Sequence, residues 1–298
     1  METLNTKFRE YVKNVLRLSK SPAFVTEENV FQEGAEDILP YLDKMVEELI
    51  LPGSGLDGLD NLEELLAKAE SGKSCLLLLE HYSNLDLSLF SYLVRMAGGR
   101  GREINKAVVA IAGMKLNEDN PAVSAFASAY TRIVIYPSRS LQDLDIEKHR
   151  QEIIRSNAIN RAAMKTLIRL KNNGRLILLF PSGTRYRPWD PSTKRGVREI
   201  DSYIKSFDYM CLVAINGEVL HVHEGDMMDD EVSEDLVRLS IGPIISCSDF
   251  RDNVRERADT EGESGMQDKK QAVVDAIMDE LEDLHIRGEE KRKQLISP

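Results

Sequence analysis

Apolar residues follow two spacings along this chain, and their alternation sets the expected architecture. Short apolar runs recur at residues 75–79, 107–112, 132–136, 176–180, 210–215 and 237–241. Runs of that length, bounded by turn residues, predict strands of a sheet covered on both faces. Between them the spacing changes. Residues 85–96 read as a helix stopped by Gly98-Gly99, and residues 146–171 carry helical spacing throughout. Near the end, Val273, Ile277, Leu281 and Leu284 form a helical stripe flanked by charges. At the start, Leu42, Met45, Val46, Leu49 and Ile50 fall at i, i+3, i+4, i+7 and i+8, and Phe8, Val12, Val15 and Leu16 at i, i+4, i+7 and i+8. Pro52-Gly53-Ser54-Gly55 then breaks the chain, and residues 259–267 are polar and read as a loop.

This pattern predicts an α/β fold: a mixed central sheet flanked by helices, with a smaller N-terminal helical region. The expected boundary places that region at residues 1–55 and the α/β domain at 56–298. There is no internal repeat and no low-complexity tract.

Composition narrows the partners. A chain of 298 residues is long enough to bury a substantial core. Its formal net charge of −11 argues against general affinity for nucleic acid or for an anionic bilayer, so an anionic substrate must meet a local basic cluster. Cys75, Cys211 and Cys247 are odd in number and form no Cys-x-x-Cys pair, as in a reduced compartment. The start lacks a basic region followed by an apolar one, and no run nears the roughly twenty apolar residues of a spanning helix. The expectation is a dissolved protein of the cytoplasm or an organelle stroma. No strongly basic amphipathic segment stands out, which leaves peripheral contact with a membrane open.

Two turns carry the candidate chemistry. The first is Glu80-His81-Tyr82-Ser83-Asn84-Leu85-Asp86, between the run at 75–79 and the helix that follows. An imidazole is thereby placed at the carboxyl end of a strand, where open α/β sheets hold their chemistry. The spacing alone is weak, since His221 and Asp226 repeat it. Ser83-Asn84-Leu85-Asp86 also resembles a capping box, a role compatible with Asp86 accepting an imidazole N–H. The second turn, Pro181-Ser182-Gly183-Thr184-Arg185-Tyr186-Arg187-Pro188, ends the run at 176–180. Its arginines offer planar forks suited to phosphate oxygens.

At these residues the chain resembles the glycerolipid acyltransferases, and most closely their soluble, chloroplast-type glycerol-3-phosphate branch. His81-Tyr82-Ser83-Asn84-Leu85-Asp86 matches that family's His-x4-Asp block, and residues 180–188 match its later Pro-Ser/Glu-Gly-Gly/Thr-Arg block, with Ser182 in place of the commoner Glu. The resemblance extends over residues 74–243. It implies acyl transfer from a thioester, acyl-CoA or acyl carrier protein, to the sn-1 hydroxyl of glycerol 3-phosphate, with no bound cofactor or metal. It further implies His81 and Asp86 as catalytic residues and Arg139, Arg185 and Arg187 as ligands of the substrate phosphate. Lysophosphatidate as the acceptor keeps the same chemistry.

Gly53-Ser54-Gly55-Leu56-Asp57-Gly58 fits a dinucleotide fingerprint literally but follows helical rather than strand spacing, so it reads as an interdomain turn. Gly72-Lys73-Ser74 lacks the earlier glycine of a phosphate loop. Ser182 is not in a Gly-x-Ser-x-Gly elbow and reads as structural. Strand alternation would put His221 and His223 on one face, with Glu224 and Asp226 nearby, as the seed of a metal-dependent hydrolase. A lipid-binding module without catalysis is the remaining class.

Overall fold

Each apolar run named above becomes a strand in the computed structural model, which describes residues 1–22, 24–114, 116, 121–137, 148–260 and 266–296. In chain order the strands are β1 (Glu2–Thr3), β2 (Phe31–Gln32), β3 (Gly55–Asp57), β4 (Cys75–Leu79), β5 (Val108–Gly113) and β6 (Arg132–Ile135). The second half adds β7 (Leu176–Leu179), β8 (Tyr209–Asn216), β9 (Leu220–His221), β10 (Glu231–Val232), β11 (Arg238–Ile241) and β12 (Ile245–Ser246).

The main sheet has the order β2-β6-β5-β7-β4-β8-β11-β3, with β12 also on β8. Its middle five strands run parallel, while β2 pairs antiparallel to β6 and β11 antiparallel to β8. The sheet is therefore mixed. A small second sheet joins β1, β10 and β9.

Alternation along the strands builds the two cores. Cys75, Leu77 and Leu79 of β4 join Leu178 and Val213 on one face, packed with Leu42, Leu65 and Phe90 from helices Leu39–Glu47, Leu59–Glu70 and Asp86–Met96. Leu76 and Leu78 join Ile177 and Met210 on the other, under Ile159, Leu167 and Ile277 of helices Arg150–Lys171 and Met266–Ile296. Because both faces are covered, β4 and β7 at the centre carry no polar position, which is why their runs were unbroken in the sequence.

The N-terminal segment contributes more than helices. Phe31–Gln32 pairs with β6 at one sheet edge, and Leu4, Val15 and Leu42 share a core with Leu77. The segment expected to be an interdomain turn is a turn only in its first part. Ser54 N–H bonds the Leu51 carbonyl, and Gly53 takes φ +96°. Gly55–Asp57 then runs parallel to β11 as the far edge strand. Three residues including a glycine are too few to show a strand period.

Helices Cys247–Thr260 and Met266–Ile296 flank most of the expected polar loop. The cysteines are free and buried, and burial pushes each thiol up to about 12. Among the described residues no helix is long and apolar enough to cross a membrane.

Candidate active site

β4 and β7 are parallel neighbours, with Leu78 opposite Leu179. This register brings their carboxyl-end turns side by side. The Phe180 ring stacks on His81 with centroids 4.1 Å apart. The Tyr186 N–H donates to the His81 carbonyl at 2.8 Å, so the backbones of the two turns are joined.

His81 Nδ1 lies 2.9 Å from Asp86 Oδ2. The same oxygen accepts the Tyr82 and Ser83 N–H groups at 2.6 and 2.9 Å, and Oδ1 accepts the Ser83 hydroxyl at 2.8 Å. Asp86 is 2% exposed and opens the helix Asp86–Met96. Its bonds to Ser83 are the back-reaching half of a capping box, while Ser83 Oγ accepts from Leu85 N–H instead of Asp86 N–H. One carboxylate thus holds both the turn ahead of the helix and the imidazole. An aspartate acceptor on Nδ1 favours the tautomer that carries hydrogen there and leaves the Nε2 lone pair available.

His81 lines two spaces at once. One is an apolar cavity of about 520 Å³, walled by residues including Leu87, Ile133, Leu167, Leu179 and Tyr203. The other is a polar basin of about 1150 Å³, lined by Arg185, Arg187, Arg195, Arg198 and Lys270, with Asp190 and Glu199 as its carboxylates. Asn84, Gly183 and Val197 border both. On a chain of net charge −11, five cations in one basin make a local positive field.

Within the second turn, Gly183 N–H closes on the Phe180 carbonyl at 2.9 Å, and Ser182 Oγ donates to the Thr184 carbonyl at 2.6 Å. Ser182 is buried and structural, as read. Gly183 takes φ +66°, and a Cβ there would lie 2.9 Å from Val197 Cγ1. A glycine is therefore required.

The two arginines of this turn differ. Arg185 Nη1 donates to Asp230 Oδ2 at 2.9 Å, and the Asp230 side chain is wholly buried. Burial holds the Asp230 carboxyl above the usual range, against the pull of Arg185 and His223. Arg187 is exposed, its backbone N–H bonded to Thr193 Oγ1 at 2.9 Å, and its guanidinium has no ion-pair partner among the described residues. Arg185 is thus not the free fork the sequence suggested. Arg139 lies outside the described residues.

Of the remaining cations, Arg195 pairs with Asp275 at 3.0 Å, whereas Arg198 and Lys270 have no ion pair among the described residues. Neither Arg198 nor Lys270 was legible as a site residue. Arg198 follows the motif by a loop, and Lys270 comes from the C-terminal helix, so only tertiary contact delivers them.

Behind His81 is a second polar cluster. Glu80 is buried; it accepts the Tyr82 hydroxyl at 3.0 Å, the Ile215 N–H at 2.8 Å and His285 Nδ1 at 3.0 Å. For His285, burial opposes the charged form, yet bonding to and attraction by Glu80 outweigh it and the group titrates above the usual imidazole range. Burial, then Glu80, pushes the Tyr82 phenol up.

His221 and His223 do not converge. His221 Nε2 lies 2.7 Å from Ser233 Oγ, and His223 Nδ1 lies 2.9 Å from the His221 carbonyl. Among the described residues no three histidine, cysteine or carboxylate side chains are grouped to hold a metal.

A half-buried strand-end histidine, oriented by a carboxylate, thus faces both an apolar cavity and a basic basin. The chain belongs to the Acyltransferase family, whose model matches residues 56–225. That span contains both turns. A comparison with curated proteins finds no match.

Proposed function

We propose that this acyltransferase moves a fatty acyl group from a thioester, acyl-CoA or acyl carrier protein, to the sn-1 hydroxyl of glycerol 3-phosphate, giving lysophosphatidate. One observation carries the reading: His81, held by Asp86, sits where the apolar cavity meets the basic basin. An acyl chain fits the first space and a phosphate the second, so their reactive ends meet at the imidazole. The resemblance of the two blocks to those of the soluble glycerol-3-phosphate branch supports this choice of acceptor.

In this mechanism His81 Nε2 takes the proton of the acceptor hydroxyl as its oxygen attacks the thioester carbonyl. Asp86 holds the ring and stabilises it once it is charged. The tetrahedral intermediate collapses with cleavage of the C–S bond, and the departing thiolate recovers the proton from His81. No step calls for a metal or a bound cofactor. Arg187, with Arg198 and Lys270, binds the phosphate and fixes the distance from hydroxyl to imidazole, so binding energy becomes orientation.

The test is product identity. Purified protein is given an acyl-thioester with either glycerol 3-phosphate or lysophosphatidate, and the lipid formed is identified by mass. Lysophosphatidate from the first mixture supports the reading. Phosphatidate from the second, with nothing from the first, moves the acceptor one step along.

A further inference from the structure

Helix Arg150–Lys171 carries six basic residues and one acidic residue in a chain whose net charge is −11. One face is buried: Ser156, Ile159, Ala163 and Leu167 pack inward. The opposite face combines two features that seldom occur together on a solvated surface. Arg150, Arg161, Lys165 and Arg169 are exposed there, and among the described residues the ion pairs of this helix are confined to Arg155 with Glu152. Among these cations stand Ile154, Met164 and Ile168, exposed by 59%, 51% and 53%.

At 3.6 residues per turn all seven side chains fall within an arc of about 140°, and from Arg150 to Arg169 they extend over roughly 28 Å. Beside them Phe24 is 71% exposed, and Arg155 Nη2 donates to the adjoining Val25 carbonyl at 3.1 Å, which ties that segment to the helix.

The same helix borders the apolar cavity. Asn160, Ala163, Met164 and Leu167 all line it, and Met164 is at once cavity wall and outer surface. Exposed aliphatic side chains ringed by cations that have no ion pair among the described residues match the interfacial zone of a bilayer with anionic lipid, where the chains enter the headgroup boundary and the cations meet phosphates.

We infer that the exposed face of helix Arg150–Lys171, with Phe24, docks this protein on an anionic membrane and sets the mouth of the apolar cavity against the lipid. The purpose assigned to that docking rests on the acyl-transfer reading, since the product is an amphiphile that leaves the cavity for a bilayer. The sequence hid the face because its apolar residues are sparse and the buried stripe of the same helix dominates the periodicity. Net negative charge elsewhere is no obstacle, because an exposed charge is felt only within about a Debye length, roughly 8–10 Å at ordinary salt.

The experiment is co-sedimentation of the full chain with phosphatidylcholine vesicles, with and without phosphatidylglycerol, at low and high salt. Wild type is expected to bind the anionic vesicles and to be released by salt. R161E/K165E/R169E is expected to bind at least tenfold less, and I154S/I168S several-fold less. Both variants should keep wild-type thiol release from a water-soluble short-chain thioester, which shows that they fold. Failure of wild type to bind anionic vesicles, or binding undiminished in the charge-reversed variant, overturns the inference. So does a dimer that I154S/I168S converts to monomer, or binding of acyl carrier protein through this face without vesicle binding. If docking fails while acyl transfer persists, only this inference falls; if thiol release is absent from every protein while vesicles bind, the acyl-transfer reading falls instead.

Discussion

His81 Nδ1 and Asp86 Oδ2 are 2.9 Å apart, and the aspartate is fixed by three further bonds from Tyr82 and Ser83. The carboxylate cannot follow the imidazole if the ring swings, so the ring must stay where Asp86 holds it.

Asp86→Asn keeps the shape of this contact and loses its charge and tautomer preference. We expect kcat to fall about 10²–10⁴-fold. Because Asp86 also holds the start of its helix, thermal unfolding is recorded beside the kinetics. A loss of melting temperature with little change in kcat would assign Asp86 to capping alone.

Phe180 stacks on the His81 ring at 4.1 Å. An aromatic contact of this kind contributes about 0.5–1.5 kcal/mol, so Phe180→Ala is expected to lower kcat roughly three- to tenfold, with Phe180→Tyr recovering most of it. The acceptor KM, measured in parallel, should stay near wild type, since Phe180 orients the base and does not line the basin.

The two arginines of the second turn separate binding from stability. Arg187→Ala removes an unpaired cation and should raise the KM for glycerol 3-phosphate about tenfold or more without moving the melting temperature. Arg185→Ala strands the buried Asp230 carboxylate, an uncompensated charge costing about 3–5 kcal/mol if it stays ionised and less if it takes up a proton. Arg185→Ala should therefore melt several degrees lower than Arg187→Ala. Equal melting temperatures would mean that the ion pair does not support the turn.

The Glu80–His285 contact predicts a pH dependence of stability. His285 titrates above its ordinary 6.5 in the folded protein. Its contribution is therefore fully present below pH 6.5, where folded and unfolded forms are both protonated, and is lost as pH rises through the folded value. Urea unfolding of wild type and His285→Gln should show a larger difference at acid-neutral pH than at alkaline pH. A difference independent of pH would remove the charged pair from the account.

What the sequence disclosed follows from the range of the forces involved. The strand runs were legible to within a residue or two because burial on both faces strips them of polar positions. His81 and Asp86 were legible because their contact is local, five residues apart. Asp230, Arg198, Lys270 and His285 were not, since each reaches the site through the tertiary fold with no spacing to mark it. The Arg185 pairing was missed for the same reason: its partner lies 45 residues away on the rim of the small sheet. Gly55–Asp57 was misread because an edge strand of three residues is too short for alternation to appear. Arg150–Lys171 was recognised as a helix, but which of its sides faces outward depends on how the sheet receives it.

The most direct measurement follows free thiol released from an acyl-thioester by wild type and His81→Ala, with and without glycerol 3-phosphate. The account predicts acceptor-dependent release by wild type and a loss of two or more powers of ten in the folded His81→Ala protein. Release indifferent to the acceptor, or equal rates in the two proteins, would contradict it.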